Sequence, residues 1–398
     1  MNFHLRNFSN MSNKIFYIDP QSMHNLAEYD YSVTKNMDCE IIYICSKYYD
    51  YDINPKLTYI YAFKYNHIKN RIKKAVSYLF SLIYIAVLIN EYKPTLVHIQ
   101  WFKIPKLDYF FWSIIKKIFH VHIIHTAHNV LPHNTGTKHQ AIYKKIYTNL
   151  SDKIIVHSAN TKKEICNIFN IDQDKIAIIR HGLLTMKYNE EKYKKQFKNS
   201  ALLEKLENKI VFTSLGEQSY YKGSDLIIEA WLRSSTLNQS DKCVLVMAGK
   251  FKNIDYKEVE KYKNVFIKNI RVSNEEYMFW LSHTDAYLLP YRNISQSGAL
   301  LTALSEHIPV VTTNAGGISE PMSIAKVGWN IGEANVENIQ TTLLHILKNS
   351  DETKKIKQNQ MGWKAIEDFY NWDEISYKTE MLYQLTTKEK LNNIHKHD

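Results

Sequence analysis

The sequence predicts an α/β protein built from two doubly wound parallel sheets in series. Short β-rich apolar runs alternate with polar or amphipathic segments along the chain, and this alternation is typical of βαβ units that form a parallel sheet. The alternation stops once, over residues 186–208, where Lys, Glu and Asn dominate without apolar periodicity. A length of 398 residues fits two domains at roughly 100–200 residues each. These observations indicate a two-lobed protein with an interdomain linker.

The domain boundaries follow from the predicted strands. We expect a first domain over residues 1–185, a linker over 186–208, a second domain over 209–365 and a C-terminal helical segment over 366–398. The buried strands are predicted at residues 14–19, 40–45, 95–101, 120–129, 153–158 and 175–182 in the first domain, and at 210–216, 243–249, 265–270, 286–291 and 308–314 in the second.

Composition excludes several classes of protein. With 45% hydrophobic and 23% charged residues, the chain is neither disordered nor collagen-like. The four cysteines are scattered without CxxC spacing, which favours a reducing compartment and argues against a structural zinc site. The N-terminal residues are polar and lack an apolar core, so we expect no secretory signal and a cytoplasmic location.

The positive charge is concentrated in one part of the chain. The net charge is +11 for the whole sequence, and residues 61–150 alone, with 13 Lys and Arg against 2 Asp and Glu, carry the same excess. Basic residues 64–74 run directly into the apolar stretch Ala75–Ile89, an arrangement suited to an anionic leaflet. The alternative is a solvated basic face on a core helix. Because a spanning helix needs about 20 apolar residues, we expect a buried or interfacial helix rather than a span.

A lysine follows the first strand of the second domain at a strand-to-helix turn. The strand ends at Gly216, the loop carries Lys222 and Gly223, and a helix opens at Ser224. Ligands of doubly wound sheets lie at the carboxyl ends of strands. An ammonium group beside the free N–H groups of a helix N-terminus makes an anion site. The alternative is an exposed loop lysine without a ligand.

Two further turns in the second domain lack bulky side chains. One strand breaks at Pro290, and Ser297 is a natural N-cap for a helix that begins at Gly298. The next strand ends in Gly316 and Gly317. Backbone that approaches a ligand closely at two neighbouring helix starts suits a nucleoside diphosphate.

These motifs resemble family 4 of the nucleotide-sugar glycosyltransferases, whose GT-B fold has two Rossmann-like domains facing across a cleft. The resemblance runs from about residue 95 to residue 320 and implies that the C-terminal helix crosses back to the first domain. It implies donor binding in the second domain and acceptor binding in the first. The matching motifs are Lys222-Gly223, Pro290-Tyr291, Pro309-Val310-Val311 and Gly316-Gly317-x-x-Glu320.

The sequence departs from the family pattern at four positions. Ile294 and Thr302 stand where the family has paired glutamates, Ser219 where it often has an arginine, and His307 where it has a glycine. The loop from Tyr291 to the Gln-Ser-Gly before the helix is similar to that of one branch of the family. This similarity implies an active variant. The residues expected to bind the donor are Gly216, Lys222, Arg271, Tyr291, Ser297, Gly298 and Glu320.

The first domain resembles the same branch in residues 122–133. Ala127-His128-Asn129 ends a predicted strand and is followed by Pro132-His133. The resemblance implies that His128 reaches the donor sugar, that Asn129 and His133 lie near the acceptor, and that His128 and Lys222 are catalytic. Trp101, at the end of another strand, is expected either at the acceptor or in the core. The crowding of His120, His122, His125, His128 and His133 leaves a zinc site or structural histidines as alternatives.

The family resemblance implies a retaining glycosyltransferase that uses a UDP- or GDP-linked sugar and requires no metal or other cofactor. The expected acceptor is a glycan or lipid-linked oligosaccharide in the synthesis of a bacterial capsule, exopolysaccharide or O-antigen, at the inner face of the cell membrane. The alternatives are a non-catalytic subunit of a polysaccharide-assembly complex and a sugar-nucleotide 2-epimerase. Nucleic-acid binding fits less well, because the aromatic residues lie within strand patterns.

Overall fold

The computed structural model describes residues 14–131, 136–197 and 201–394, which divide into two compact units. The first unit contains the described residues up to His157, then Lys162–Arg180, and the chain from Trp372 onward. The second unit contains Ser158–Thr161 and His181–Asn371. Each unit has its own parallel sheet.

The sheet of the first unit has seven parallel strands. Along the sheet they run in the order β3-β2-β1-β4-β5-β6-β7, the doubly wound arrangement in which the chain starts in the middle and winds outward in both directions. The strands are β1 (Ile15–Ile18), β2 (Ile41–Ser46), β3 (Thr58–Phe63), β4 (Leu96–Ile99), β5 (His122–Thr126), β6 (Lys153–Val156) and β7 (Ile176–Ile178).

Helices cover both faces of this sheet because successive strand residues point to opposite sides. In β1, Phe16 and Ile18 belong to one apolar core, whereas Ile15 and Tyr17 belong to another. The helices between the strands are α1 (Asn25–Thr34), α2 (Arg71–Tyr92), α3 (Pro105–Phe119), α4 (Gln140–Lys145) and α5 (Ala159–Phe169). Helices α2 and α3 contribute to the first core, and α1 contributes to the second.

The second unit has six parallel strands in the order β10-β9-β8-β11-β12-β13. They are β8 (Ile210–Leu215), β9 (Cys243–Ala248), β10 (Val265–Lys268), β11 (Ala286–Leu289), β12 (Val310–Thr312) and β13 (Gly328–Asn330). The helices are α6 (Glu190–Phe197), α7 (Ala201–Leu206), α8 (Ser224–Leu232), α9 (Ser235–Asn238), α10 (Asn274–Ser282), α11 (Gly298–Ser305), α12 (Glu320–Ile324), α13 (Val336–Lys348), α14 (Ser350–Lys357) and α15 (Gln360–Phe369).

The last helix, α16 (Trp372–Ile394), belongs to the first unit. The Ser376 hydroxyl donates to the carbonyl of Val33 on α1 at 2.8 Å. The Glu380 carboxylate accepts from the backbone N–H of Cys39 at 2.8 Å. The helix begins at Trp372 rather than at residue 366, because residues 366–369 complete α15 in the second unit.

Two strands and two helices were not expected from the sequence. The strands β3 and β13 lie at the edges of their sheets, where partial exposure weakens the apolar pattern. The helices α6 and α7 lie within the predicted linker 186–208, so this prediction needs correction. The ring of Phe197 in α6 stacks on Phe279 of α10 at 4.6 Å, and a few such apolar contacts hold a segment whose other residues are mostly charged.

Candidate active site

The turn after β8 is shaped by glycine. Gly223 has a φ of +73°, and a Cβ atom at this position would lie 2.2 Å from the carbonyl oxygen of Pro290. Only glycine therefore allows the turn to approach the end of β11 so closely. Gly216 has a φ of +86°, and a Cβ there would lie 3.8 Å from Lys222 Nζ. The ammonium group of Lys222 thus lies beside the backbone at the carboxyl end of β8.

A buried glutamine fixes the same turn. Gln218 Nε2 donates to the carbonyl oxygens of Ser214 and Gly216, each at 3.1 Å. Its Oε1 accepts from the hydroxyl of Ser224, the first residue of α8, at 2.9 Å. The side chain of Gln218 therefore ties the end of β8 to the start of α8, and it positions the intervening loop that carries Lys222.

Lys222 is a half-buried cation whose ammonium group forms no ion pair with a described carboxylate. Its Nζ lies 6.0 Å from the centroid of the Tyr291 ring, within the range of a cation–π interaction. Desolvation lowers the pKa of this lysine. Among the described residues, no carboxylate lies within 4.0 Å of Nζ, and Glu217, whose charge partly offsets this shift, is paired with Lys252 at 2.6 Å. A partly desolvated charge of this kind is stabilised by a bound anion.

The turn after β11 brings two more predicted residues to Lys222. The Tyr291 hydroxyl lies 3.2 Å from Ser297 Oγ, which also accepts from the N–H of Leu300 at 3.2 Å. Ser297 is thus the N-cap of α11, as its sequence position indicates. The N–H groups of Gly298 and Ala299 have no acceptor among the described residues. Free N–H groups at a helix N-terminus bind anions.

An arginine that the sequence did not indicate joins these two turns. Arg292 makes a bidentate ion pair with Asp225 of α8, with both N···O distances at 2.6 Å. Its guanidinium lies 3.7 Å from the centroid of the Tyr220 ring. Arg292 is therefore a positioning residue for the loop that carries Lys222. Nothing in the spacing of Asp225 and Arg292 signals this pair.

The glycines after β12 pack against the loop that precedes α11. Gly316 has a φ of +55°, and a Cβ there would lie 1.8 Å from the carbonyl oxygen of Ile294. Glu320 is half-buried and begins α12. The side chain of Ile294 belongs to the apolar core and Thr302 is buried. The two positions that hold glutamates in the family are thus packing positions in this chain.

Arg271 was predicted to bind the nucleotide-sugar donor, but the structure places it away from Lys222 and Tyr291. It lies in an exposed loop after β10. That strand forms the edge of the sheet and is separated from β8 by β9. The structure therefore does not bring Arg271 together with Lys222 and Tyr291. The sequence correctly predicted that Arg271 follows a strand, but it did not predict that this strand, β10, lies at the edge of the sheet.

In the first unit, His128 follows β5 and lies in a cluster of aromatic and polar side chains. Its ring stacks on Trp101 at 4.5 Å with an interplanar angle of 9°. Trp101 Nε1 is buried without a hydrogen-bond partner among the described residues. Asn129 accepts through its backbone carbonyl from the Tyr147 hydroxyl at 3.3 Å. The structure thus brings Trp101, His128 and Asn129 together, whereas His133 lies outside the described residues.

Both ring nitrogens of His128 have partners. Nε2 lies 3.0 Å from Gln100 Oε1, and Nδ1 lies 3.1 Å from Nε2 of His157. His157 Nδ1 lies 2.9 Å from the carbonyl oxygen of Ile179, which can only accept, so this nitrogen carries a proton. Burial lowers the pKa of His157 to about 4, and its Nε2 is therefore an unprotonated acceptor. The proton of the His128–His157 bond consequently lies on His128 Nδ1.

The Gln100 amide is the second hydrogen-bond partner of His128. Its Oε1 accepts from the ring when His128 Nε2 carries a proton. A half-turn of the Gln100 amide instead donates an N–H to the neutral ring. The other amide position lies 3.1 Å from His98 Nε2. Because His98 and Gln100 are two residues apart near the end of β4, alternation along a strand could have indicated this pair.

The histidines of this region are distributed over different contacts. His125 Nδ1 bonds to the carbonyl of Ile99 at 3.0 Å, and His98 contacts Tyr383 and Thr126 at 2.6 and 2.7 Å. Burial lowers the pKa of His98 to about 3 and that of His125 to about 4. Within residues 14–131, 136–197 and 201–394, no three His, Cys, Asp or Glu side chains are grouped to hold a metal ion.

Two parallel-sheet units, with a cation and free helix N–H groups at one set of strand ends, define a Rossmann-like protein with a candidate anion-binding site. Two family models match adjacent parts of the chain. The model for "Glycosyltransferase Family 4" matches residues 35–185, and the model for "Glycosyl transferases group 1" matches residues 194–363. The chain belongs to the family 4 glycosyltransferases and has the GT-B fold.

Similar proteins agree with this assignment. An uncharacterised glycosyltransferase of Methanocaldococcus jannaschii is 24% identical over 246 residues, which cover 59% of this chain and 60% of that protein. Sucrose-phosphate synthase from Thermosynechococcus elongatus has a TM-score of 0.70 at 14% identity, over 94% of this chain and 98% of that one. HepE of Anabaena, solved with UDP-glucose, has a TM-score of 0.65 at 12% identity, over 93% of this chain and 99% of its own.

Proposed function

We propose that this protein transfers a glycosyl group from a nucleotide sugar to an acceptor hydroxyl, with the donor diphosphate bound at Lys222. The observation that carries this proposal is the half-buried ammonium group, which forms no ion pair among the described residues, beside the free N–H groups at the start of α11. Family membership supports the same reaction class. Among the structural neighbours, HepE was solved with UDP and with UDP-glucose, and an Escherichia coli trehalose-6-phosphate protein with UDP-2-fluoro glucose.

The proposed reaction requires few catalytic side chains. The bond between the anomeric carbon and the phosphate oxygen breaks, and its electron pair leaves with the nucleoside diphosphate. Lys222 and the N–H groups of Gly298 and Ala299 stabilise the developing negative charge. The acceptor oxygen bonds to the anomeric carbon on the same face, and its proton passes to the leaving phosphate. Configuration is then retained, and no metal is needed to supply positive charge.

The proposed role of the first unit is to bind the sugar and the acceptor. His128 carries a proton on Nδ1 and stacks on Trp101, and an aromatic face of this kind suits a sugar ring. To reach a sugar hydroxyl, His128 Nε2 has to exchange its bond to Gln100. We propose a glycan or lipid-linked oligosaccharide of a bacterial surface polysaccharide as acceptor, and UDP or GDP as the donor nucleotide.

Thermal unfolding with UDP, GDP and their glucose and mannose conjugates tests donor binding. A ligand at 100 times its dissociation constant adds about 2.7 kcal/mol of stability, so one nucleotide series should raise the melting temperature. Lys222→Ala should abolish this shift and reduce turnover on the order of 10²-fold. Lys257→Ala removes an exposed lysine of the same unit and should behave as wild type. No shift with any nucleotide, or a full shift in Lys222→Ala, would contradict the proposal.

A second candidate is a non-catalytic subunit that binds a nucleotide sugar. The burial of Ile294 and Thr302 at the positions of the family's glutamates favours it, and these residues also offer no acid or base for an epimerase. Incubation with a radiolabelled donor distinguishes the two functions. Release of labelled sugar or its transfer to glycan supports the enzyme, whereas binding of the nucleotide without release supports the subunit.

A further inference from the structure

Helix α2 is apolar on two opposite sides. One side packs on the sheet through Leu82, Ile85 and Ile89, each at most 1% exposed. The opposite side is open, and no charged residue occurs between Ala75 and Ile89. A helix that is hydrophobic all round is normally enclosed by protein or by lipid. The exposed side of α2 carries Ile72, Val76, Phe80, Ile83 and Val87, with exposed fractions between 47% and 76%.

These five residues form one stripe along the helix. Their spacing of four, four, three and four residues keeps them within an arc of about 80° at roughly 100° per residue. Helix α3 continues the apolar surface with Phe110, Ile114 and Ile118, four residues apart and 40% to 65% exposed. The Tyr78 hydroxyl of α2 donates to Asp108 of α3 at 2.7 Å, which fixes the two helices side by side. We refer to these eight exposed side chains as the α2–α3 face.

The exposed apolar residues of this protein are concentrated on these helices. Half of the twenty large apolar side chains that are exposed among the described residues lie on α2 and α3. A concentration of exposed apolar side chains on neighbouring helices of a folded protein marks a surface for a partner or a membrane. Scattered exposed residues elsewhere in the chain require no such explanation.

The residues around the α2–α3 face are basic. Arg71 and Lys73 are exposed in the first turn of α2. Lys106 lies four residues before Phe110 and Lys117 three residues after Ile114, so both flank the stripe on α3. A groove of about 610 Å³ between β3 and α2 has an apolar lining that includes Phe80 and carries Lys64 and Lys73. Cations around an apolar surface match the phosphates and acyl chains of an anionic leaflet.

The same helix satisfies the length and hydropathy criteria for a membrane span. It has 22 residues, and one third of its most apolar window is buried. Crossing a bilayer would remove Leu82, Ile85 and Ile89 from the core of the first unit. The aromatic side chains Tyr61 and Tyr84 lie half-exposed in the same groove, where amphipathic rings suit the headgroup region. The packing therefore favours a helix that lies in the membrane surface.

We propose that the α2–α3 face binds the surface of an anionic lipid bilayer. The apolar stripe enters the boundary between headgroups and acyl chains, and the basic residues contact lipid phosphates. This proposal goes beyond the glycosyl transfer proposed above and does not depend on the donor site.

Vesicle cosedimentation of the full chain tests the proposal. The probes are vesicles of phosphatidylcholine, alone or with roughly one third phosphatidylglycerol. Wild type should bind the anionic vesicles and bind the neutral ones more weakly. Phe80→Ser with Val87→Ser should abolish binding to both. Arg71→Gln with Lys73→Gln should weaken binding to anionic vesicles by about fivefold for each residue, the effect of one basic residue near such a surface.

The matched control is Tyr377→Ser with Leu385→Ser, two exposed residues of α16, which should bind as wild type. All variants should keep the wild-type melting temperature and the nucleotide-dependent shift, so a failed donor site and a failed membrane surface are distinguished. Equal binding to both vesicle types, or full binding by the Phe80 and Val87 variant, would overturn the proposal. Resistance to alkaline carbonate extraction would indicate a span, and a dimer in sedimentation that this variant dissociates would indicate self-association.

Discussion

At the scale of single residues, the buried side-chain amide of Gln100 connects His98 and His128. Its Oε1 lies 3.0 Å from His128 Nε2, and its Nε2 lies 3.1 Å from His98 Nε2. Burial lowers the pKa of His98 to about 3, so His98 is a neutral ring at neutral pH. Gln100 is itself 1% exposed, and its amide therefore ties the end of β4 to the residue that follows β5 from within the packed interior.

Replacement of this amide should destabilise the first unit. In Gln100→Leu, the side chains of His98 and His128 lose their contacts with the amide, and a buried polar group left without its partner costs about 1–3 kcal/mol of unfolding free energy. Urea unfolding measures the loss. Gln384→Leu, the same exchange at an exposed position of α16, is the control. An equal loss in the two variants would show that the Gln100 amide makes no net contribution to stability.

The sequence indicated residues at strand ends better than it indicated their partners. Lys222, Tyr291 and Ser297 come together because carboxyl ends of adjacent parallel strands share one edge of the sheet. Arg292 and Gln218 were missed because the turn geometry, and not a motif, brings them to their partners. The burial of Ile294 could not be read from the sequence, since an apolar residue in a loop fits both a core position and an exposed one.

At the scale of secondary-structure elements, the turn between β8 and α8 requires a residue without a Cβ atom at position 223, which is Gly223. Gly223→Ala places a methyl group 2.2 Å from the Pro290 carbonyl oxygen at a φ of +73°. Gly332 has the same φ with nothing within 4 Å of a Cβ. Gly223→Ala and Gly332→Ala therefore introduce the same backbone strain, but only Gly223→Ala also introduces a steric clash.

Gly332→Ala should cost about 1–2 kcal/mol of unfolding free energy from backbone strain alone. Gly223→Ala should cost a further 1–3 kcal/mol, as overpacking typically does, and it should displace Lys222 and weaken nucleotide binding. Urea unfolding of both variants measures the difference, and the thermal shift with nucleotide measures the displacement. Equal losses in the two variants would show that the turn relaxes freely away from β11.

Edge elements were the least predictable from the sequence. The first four residues of β3 are exposed or half-buried, without alternation, and only its last two are buried, while β13 has just three residues. Helix α6 was not predicted because most of its residues are charged or polar, and only Phe197 among its described residues is buried. The central strands were predicted because both of their faces are covered, so that they consist mainly of apolar and aromatic residues in continuous runs.

At the scale of the whole molecule, the first unit contains a buried carboxyl pair that opposes stability at neutral pH. Asp30 accepts from the hydroxyls of Tyr17 and Tyr43. Burial raises the pKa of Asp30 well above its usual value, and it also raises the pKa of Asp19 to about 6. A carboxyl group with a raised pKa in the folded state contributes most stability below pH about 4. That contribution is lost as the pH rises.

Asp30→Asn should therefore become more stable relative to wild type as the pH rises from about 4 towards 7. The difference should change by at most about 1.4 kcal/mol per pH unit, because asparagine keeps an amide donor and an acceptor without titrating. Urea unfolding at several pH values gives the slope, and Asp241→Asn at an exposed position is the control. A slope of zero, or of the opposite sign, would contradict the raised pKa of Asp30.

The position of α16 has a consequence for the order in which a nascent chain can fold. The second unit occupies one nearly continuous stretch, His181–Asn371, whereas the first unit is completed only by residues from Trp372 onward. During synthesis, the second unit can thus finish folding while His98 still lacks Tyr383 and α1 lacks its neighbouring helix. The unit that begins first is the one completed last, and until then its sheet exposes an apolar face that a chaperone could bind.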